Sequence, residues 1–322
     1  MAKGADGFRV DMADSLVKND GDEKIGTMEV WKDVTTDVRK DFPDMALVSE
    51  WNNPGCALNC GFDMDFCLDW YGNSYSHLVR YYQIDKDGKP VNENSYFNHE
   101  SENDPMGFLK DFLPKYEARA EGMYCLITGN HDCKRTSFNL SEEDRKLAFA
   151  FLLTMPGAPF LYYGDEISMA YRWTPTKEGG YHRTGSRTPM QWDNGTNLGF
   201  SDAAADKLYL PVDPNPNGTT VVSQEADPNS MLHYVRSLIA LRQSNADLGN
   251  YSPFAIYSAE EGSRLFAYKR GNMLVAMNPS GKALPLTLDG AYEPIFTMGA
   301  AEVTGKQLTL GAQSFVVLQP KA

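Results

Sequence analysis

Residues 7–11 read GFRVD, a short apolar run that carries an arginine and closes on an aspartate. Four further runs have the same texture: 46–50 (ALVSE), 62–68 (FDMDFCL), 124–128 (YCLIT) and 159–163 (PFLYY). Most are near-continuous rather than alternating in polarity, the pattern of strands buried on both faces. Between them lie helical patterns. Residues 24–42 place Met28, Trp31, Val34 and Val38 on one face, with Ile25 at its margin. Residues 104–120 carry an interior Pro114, which predicts a kink or a split. Residues 141–155 open with Ser141 as N-cap and acids in the first turn, and stop before Pro156-Gly157. A last helix is expected within 227–245. Strand–helix repetition of this kind predicts a parallel sheet with right-handed crossovers.

Past residue 250 the texture changes. Residues 263–288 and 306–320 are short strand-like runs separated by Gly, Pro and Asn, and Arg270-Gly271-Asn272 reads as a hairpin turn. A partial (β/α) domain over 1–250 and a small antiparallel β-sandwich domain over 251–322 are expected. Residues 164–230 show little periodicity and are rich in Gly, Pro, Asn and Asp; loops of that length usually carry function.

The formal net charge of -13 opposes binding to nucleic acid. No run of about 18 apolar residues marks a membrane span. Five cysteines (56, 60, 67, 125 and 133) form no disulfide framework, and Cys56 and Cys60 lack the second pair or histidines that would complete a zinc site. Asp85-Lys86-Asp87-Gly88 reads as a tight turn, since the rest of a calcium-loop pattern is absent. No metal ligand set and no cofactor motif is found.

Asp11 ends the first predicted strand, Glu50 ends the second and Asp132 follows the fourth. In parallel β/α architectures, functional groups gather at the carboxyl ends of strands, so these three acids are expected to converge. Several acids in one pocket suit a divalent metal or acid-catalysed glycosyl transfer. The local sequences are informative at this point. Residues 4–13 (GADGFRVDMA), 46–51 (ALVSEW) and 126–132 (LITGNHD) resemble three signature regions of the alpha-amylase family of retaining glycoside hydrolases, in family order. Residues 155–169 (MPGAPFLYYGDEISM) resemble that family's eighth barrel strand and its turn. Residues 186–201 (SRTPMQWDNGTNLGFS) resemble a segment of its oligo-1,6-glucosidase and trehalose-synthase branch.

The resemblance implies Asp11 as nucleophile, Glu50 as general acid/base and Asp132 as transition-state stabiliser, with a substrate-binding set of Arg9, which holds Asp11 ionised, His131, which donates to the same sugar ring, and Arg135, a partner for a carboxylate or a sugar hydroxyl. It implies an α-glucan or α-glucoside substrate and no cofactor. Its alternatives are a trehalose-synthase-like transglycosylase or isomerase, and a carbohydrate-binding remnant without catalysis. Where alpha-amylases proper carry Lys-His after the nucleophile, this chain has Asp14-Ser15, so the resemblance does not extend to the leaving-group subsites of an endo-amylase. Arg187 and Gln191 lean toward enzymes of short α-glucosides. The family builds an eight-stranded barrel whose nucleophile ends the fourth strand. The fold expected here is therefore an incomplete (β/α)8 TIM-type barrel covering strands 4–8. Five strands do not close such a barrel, so self-association or a complementing amino-terminal fragment is expected.

Overall fold

The computed structural model describes residues 1–69, 73–174, 183–215 and 217–321. Parallel pairing begins with β1 (Gly7–Val10), followed by α1 (Ile25–Asp41), β2 (Ala46–Ser49), the single turn α2 (Pro54–Ala57) and β3 (Met64–Cys67). Next come α3 (Ser76–Val79), a hairpin of β4 (Gln83–Ile84) and β5 (Pro90–Val91), α4 (Met106–Ala118) and β6 (Met123–Leu126). The sheet order is β1-β2-β3-β6, and each neighbouring pair is parallel. In the β4–β5 turn the Asp85 carboxylate accepts the Asp87 and Lys89 N–H groups, as a tight turn requires.

The run 159–163 departs from its expected strand. It contributes one parallel bridge, Phe160 to Ile127. Phe160 N–H donates to the Leu126 carbonyl and Thr128 N–H to the Phe160 carbonyl, both at 3.0 Å. Pro159 has no N–H to extend that ladder backwards. Ahead, the Thr128 hydroxyl takes the Tyr162 N–H at 2.8 Å, so a side chain replaces the next backbone rung.

Register fixes what leaves the sheet together. Gly7 pairs with Ala46 and Val10 with Ser49, and Glu50 N–H donates to the Val10 carbonyl at 3.0 Å. The next residues on the two chains are Asp11 and Glu50. Close approach is possible because residue 7 has no Cβ: one added there would run into the Ala46 carbonyl oxygen.

Helix α1 forms where periodicity places it, but its buried stripe is rotated. Met28, Trp31 and Val38 pack against the core, whereas Ile25 and Val34 are exposed and Thr27 and Thr35 are buried. Both threonines satisfy their hydroxyls internally. Thr35 donates to the Cys60 carbonyl at 2.9 Å, and Thr27 accepts from Val17 N–H at 3.3 Å. Asp20 caps the helix by accepting Gly26 and Thr27 N–H groups, both at 2.7 Å, and these bonds hold its carboxyl below the usual range. Helix α4 runs through Pro114 without splitting. Helix α5 (Glu142–Thr154) begins with a reciprocal capping box of Ser141 and Asp144. The described residues of the low-periodicity stretch are largely tight turns and short 3-10 turns with one helix, α6 (Val221–Ala226), and α7 (Met231–Ser244) follows it.

From Phe254 onward the chain is antiparallel. The strands are β7 (Phe254–Ala259), β8 (Phe266–Arg270), β9 (Met273–Asn278), β10 (Leu284–Thr287), β11 (Tyr292–Met298), β12 (Ala301–Thr304), β13 (Gln307–Leu310) and β14 (Ser314–Pro320). They form a five-stranded sheet, β11-β14-β9-β8-β7, and a three-stranded sheet, β10-β13-β12. Alternation along β9 decides which side is which: Leu274 and Ala276 face the smaller sheet's leucines, whereas Val275 and Met277 join the core formed with α4, α5 and α7. Phe151 of α5 sits at that junction, its ring centroid 5.8 Å from Phe108, 6.1 Å from Phe266 and 6.3 Å from Tyr268. Tyr268 and the Thr154 hydroxyl are hydrogen-bonded at 2.7 Å.

Substituting Gly7 by alanine is expected to push β1 away from β2 and to lower stability by about 1–3 kcal/mol, the usual cost of overpacking. Urea denaturation measures it, and an unchanged midpoint would contradict the tight approach.

Candidate active site

Three loops at the carboxyl ends of the parallel strands supply the polar groups. Arg9, in β1, is the hub. Its Nη1 pairs with Asp11 and its Nη2 with Glu50 Oε2 at 2.7 Å. Glu50 Oε2 also accepts the Met12 N–H at 3.0 Å. Met12 takes up a left-handed conformation, turning the chain after Asp11 back toward β2. Trp31 of α1 fastens that turn by donating to the Ala13 carbonyl at 2.8 Å. Exposure separates the two acids: the Asp11 side chain is 71% exposed and that of Glu50 15%. The Arg9 guanidinium holds the Asp11 carboxyl below the usual range, first by hydrogen bonding and then by charge, and Glu50 and His131 act on it in the same direction.

The loop after β6 carries His131 and Asp132. Asn130 shapes it by accepting the N–H groups of Asp132 and Cys133 at 2.8 and 3.0 Å. Asp132 Oδ1 receives Arg183 Nη1 at 2.8 Å and Arg187 Nη2 at 2.9 Å, and its Oδ2 lies 3.3 Å from His131 Nε2. Arg187 also donates from Nε to the His131 carbonyl at 2.8 Å. The loop is strapped from behind: Arg80, buried beside Asp69, donates to the Thr128 carbonyl at 2.8 Å and the Lys134 carbonyl at 2.5 Å.

A cavity of about 210 Å³ joins these elements. Arg9, Glu50, Phe66, His131 and Phe160 contribute to its lining, so all four strands and the 159–163 run reach it. Beside it opens a cleft of about 570 Å³, bordered by Arg187, Tyr163 and the rings of Trp192, Phe200 and Tyr209.

Arg9, Asp11, Glu50 and His131 are thus brought together, and Asp132 is joined to them through His131. Arg135 is not on that surface. Its side chain is 1% exposed and donates to Asp165 Oδ1 at 2.8 Å and to the carbonyls of Tyr163 and Ser186 at 2.7 and 3.1 Å. It does pair with a carboxylate, as expected, but the substrate-binding role gains no support, because the side chain is buried and both Nη groups donate to interior acceptors. Gln191 is likewise buried and donates to the Thr219 carbonyl, whereas Arg187 from the same segment reaches Asp132. Arg183 was not singled out in the sequence. It lies 51 residues beyond Asp132 in a stretch without periodicity, ahead of the 186–201 segment, and no sequence signal marked it.

Comparison with known proteins gives a match of residues 1–250 to the family model described as alpha amylase, catalytic domain. A salivary alpha-glucosidase of Aedes aegypti is 32% identical over 186 residues, covering 52% of this chain and 31% of that protein. The probable oligo-1,6-glucosidase 2 of Bacillus subtilis is 31% identical over 201 residues, with 51% and 35% covered. A trehalose synthase of Pimelobacter sp. is 36% identical over 129 residues, with 36% and 22% covered. Thus the matched stretches span about a third or less of these relatives' lengths. Among solved structures, an alpha-amylase from H. orenii superposes with a TM-score of 0.73 at 22% identity, covering 99% of this chain and 62% of that one. The trehalulose synthase MutB of Pseudomonas mesoacidophila MX-45 gives 0.76 at 19% identity, covering 99% and 66%.

Removing the guanidinium in Arg9→Met is expected to let the Asp11 carboxyl rise toward the ordinary value of about 3.9. A carbon-13 NMR titration of aspartate side chains reads this directly. A midpoint that stays put would mean that Arg9 does not hold the Asp11 charge.

Proposed function

The chain belongs to the alpha-amylase family, and on that footing we propose that it is a retaining α-glycoside hydrolase acting on α-glucans and maltooligosaccharides. The observation that carries the reading is the single guanidinium of Arg9 shared by Asp11 and Glu50. Two carboxyl groups held by one cation are near neighbours, and a double displacement uses such a close pair. Asp11, exposed and kept ionised by Arg9, attacks the anomeric carbon; the bond to the leaving oxygen breaks as Glu50 supplies that oxygen with a proton. Glu50 then takes a proton from water, whose oxygen displaces Asp11 and restores both acids. To act as donor, Glu50 must gain its proton and exchange Arg9 Nη2 for the glycosidic oxygen. Asp132, braced by Arg183 and Arg187, stabilises the cationic sugar, and the His131 imidazole, beside Asp132, meets a sugar hydroxyl. The aromatic rings of the neighbouring cleft offer apolar faces to a further sugar unit, which favours substrates longer than one residue.

A second reading keeps the chemistry and changes the acceptor. A trehalose synthase, 36% identical over 129 residues, stands among the relatives beside the two glucosidases at 32% over 186 and 31% over 201, so transfer to sugar is the alternative outcome, no better supported than hydrolysis. Product analysis on maltose separates the two: free glucose marks hydrolysis, a non-reducing disaccharide marks transfer.

We propose further that β1, β2, β3, β6 and the 159–163 run correspond to strands 4–8 of a (β/α)8 barrel within residues 1–250, followed by a β-sandwich domain over 251–322. Among the described residues β1 pairs with β2 alone, and Phe8 and Met12 beside that edge are 52% and 60% exposed. An open edge with apolar neighbours favours pairing with another polypeptide, either a second copy or an amino-terminal fragment.

The wild-type chain, supplied with such a fragment where needed, is expected to release 4-nitrophenol from its α-glucoside, and Asp11→Asn to lower the rate by about a thousandfold or more. Equal rates would overturn the catalytic assignment. Size-exclusion chromatography with light scattering tests the edge: association is expected, and a strictly monomeric species at all concentrations would remove that proposal.

A further inference from the structure

Beneath the turn that carries Glu50 sits a carboxylic acid that the reaction does not use. Asp65, in β3, has no exposed surface. Its Oδ1 accepts the Ser49 hydroxyl at 2.6 Å and the backbone N–H groups of Trp51 and Asn52, each at 3.2 Å. These donors bracket Glu50, one residue before it and two after. Asn52 is in the left-handed region, with φ 62°, and its side-chain oxygen accepts the Tyr124 hydroxyl at 2.7 Å and Leu68 N–H at 3.2 Å. The turn after β2 is thereby clamped to β3 and β6 at once.

The remaining oxygen of Asp65 is buried without a hydrogen-bond partner. The titratable groups that face it are Cys56 and Cys60 from α2 and its continuation, Cys67 on its own strand, and Tyr124 and Cys125 on β6. All are acids that burial keeps protonated, so none supplies the positive charge that a buried carboxylate needs. We propose that Asp65 is a positioning residue for Glu50, a neutral acid whose Oδ1 fixes the turn after β2. The proposal rests on the reading of Glu50 as proton donor. Burial pushes the Asp65 carboxyl up to about 7, outweighing the opposing pull of Ser49 and the backbone N–H groups. Because the folded value lies above the ordinary 3.8, the contribution of this group is fully present below about pH 4, is lost progressively as pH rises to about 7, and does not change further above that.

The test compares the wild type with Asp65→Asn, which keeps the Oδ1 acceptor and cannot ionise, and with Asp65→Ala, which removes the acceptor. Thermal midpoints are measured between about pH 5 and pH 9. The wild type is expected to lose stability relative to Asp65→Asn as pH rises from about 5 to about 7 and to keep a constant difference above that; no loss over that acid limb, or a reversed one, overturns the neutral acid. Amide hydrogen exchange over residues 49–53 at acid pH is expected to quicken about tenfold or more in Asp65→Ala and to be largely rescued in Asp65→Asn. Unchanged protection in Asp65→Ala overturns the clamp. On 4-nitrophenyl α-glucoside, Asp65→Ala is expected to lower kcat by about 10- to 100-fold with little change in KM, with rescue by Asp65→Asn. An equal loss in both variants, or none in Asp65→Ala, overturns the positioning role. If the wild type, assayed alone and with the amino-terminal fragment, releases no 4-nitrophenol, the glycosidase reading fails, while the thermal and exchange measurements still decide whether Asp65 holds the turn as a neutral acid.

Discussion

The parallel register of β1 on β2 is the constraint from which the site follows. Side chains alternate along a strand, so a slip of one residue would turn Arg9 from one face of the sheet to the other and separate it from Glu50. The register is held by backbone bonds that continue past the strands, from Glu50 to Val10 and from Ala13 to the Glu50 carbonyl. Arg9 then needs no long reach to meet both acids. The guanidinium is well suited to this: it presents separate N–H groups to separate carboxylates, which a lysine ammonium cannot do in a fixed plane.

Behind the loop after β6 the interior carries buried ion pairs. Arg80 with Asp69 and Arg135 with Asp165 are buried pairs, and each guanidinium also serves backbone carbonyls. Such pairs contribute little net stability, because desolvation offsets their attraction, but losing one partner leaves an uncompensated charge. Their value lies in direction. Thr128 and Lys134 stand on either side of the histidine and aspartate, and one side chain holds the carbonyls of both. Asp165 links this arrangement to the 159–163 run through the Thr128 hydroxyl at 2.8 Å.

Much of this was legible in the sequence where apolar runs end on charges. Residues 7–11 and 46–50 each deliver one acid at the strand terminus, and the structure puts both there. What was illegible depended on contacts across the fold. Thr27 and Thr35 counted as polar in the periodicity of α1, yet the carbonyl of Cys60 and the N–H of Val17 make them interior residues. The 159–163 run had a strand's composition, but Thr128 intercepts its backbone. Arg135 stood three residues from Asp132, a spacing that gave no sign of which way it turned. Asp65 was hidden inside FDMDFCL, a run that reads as a buried strand without singling out its acids; only the three-dimensional position of Ser49 and Trp51 shows what it does.

Phe151 gives the architecture a mechanical consequence. Its ring touches aromatic groups of α4 on one side and of β8 on the other, and the surrounding cluster runs without interruption from Leu126 to Val317. The part of the chain from β3 to α7 and the antiparallel tail therefore share one continuous core and are expected to melt as one cooperative body. Damage at the far terminus would surface as a smaller harvest of folded molecules, with each survivor keeping its selectivity intact.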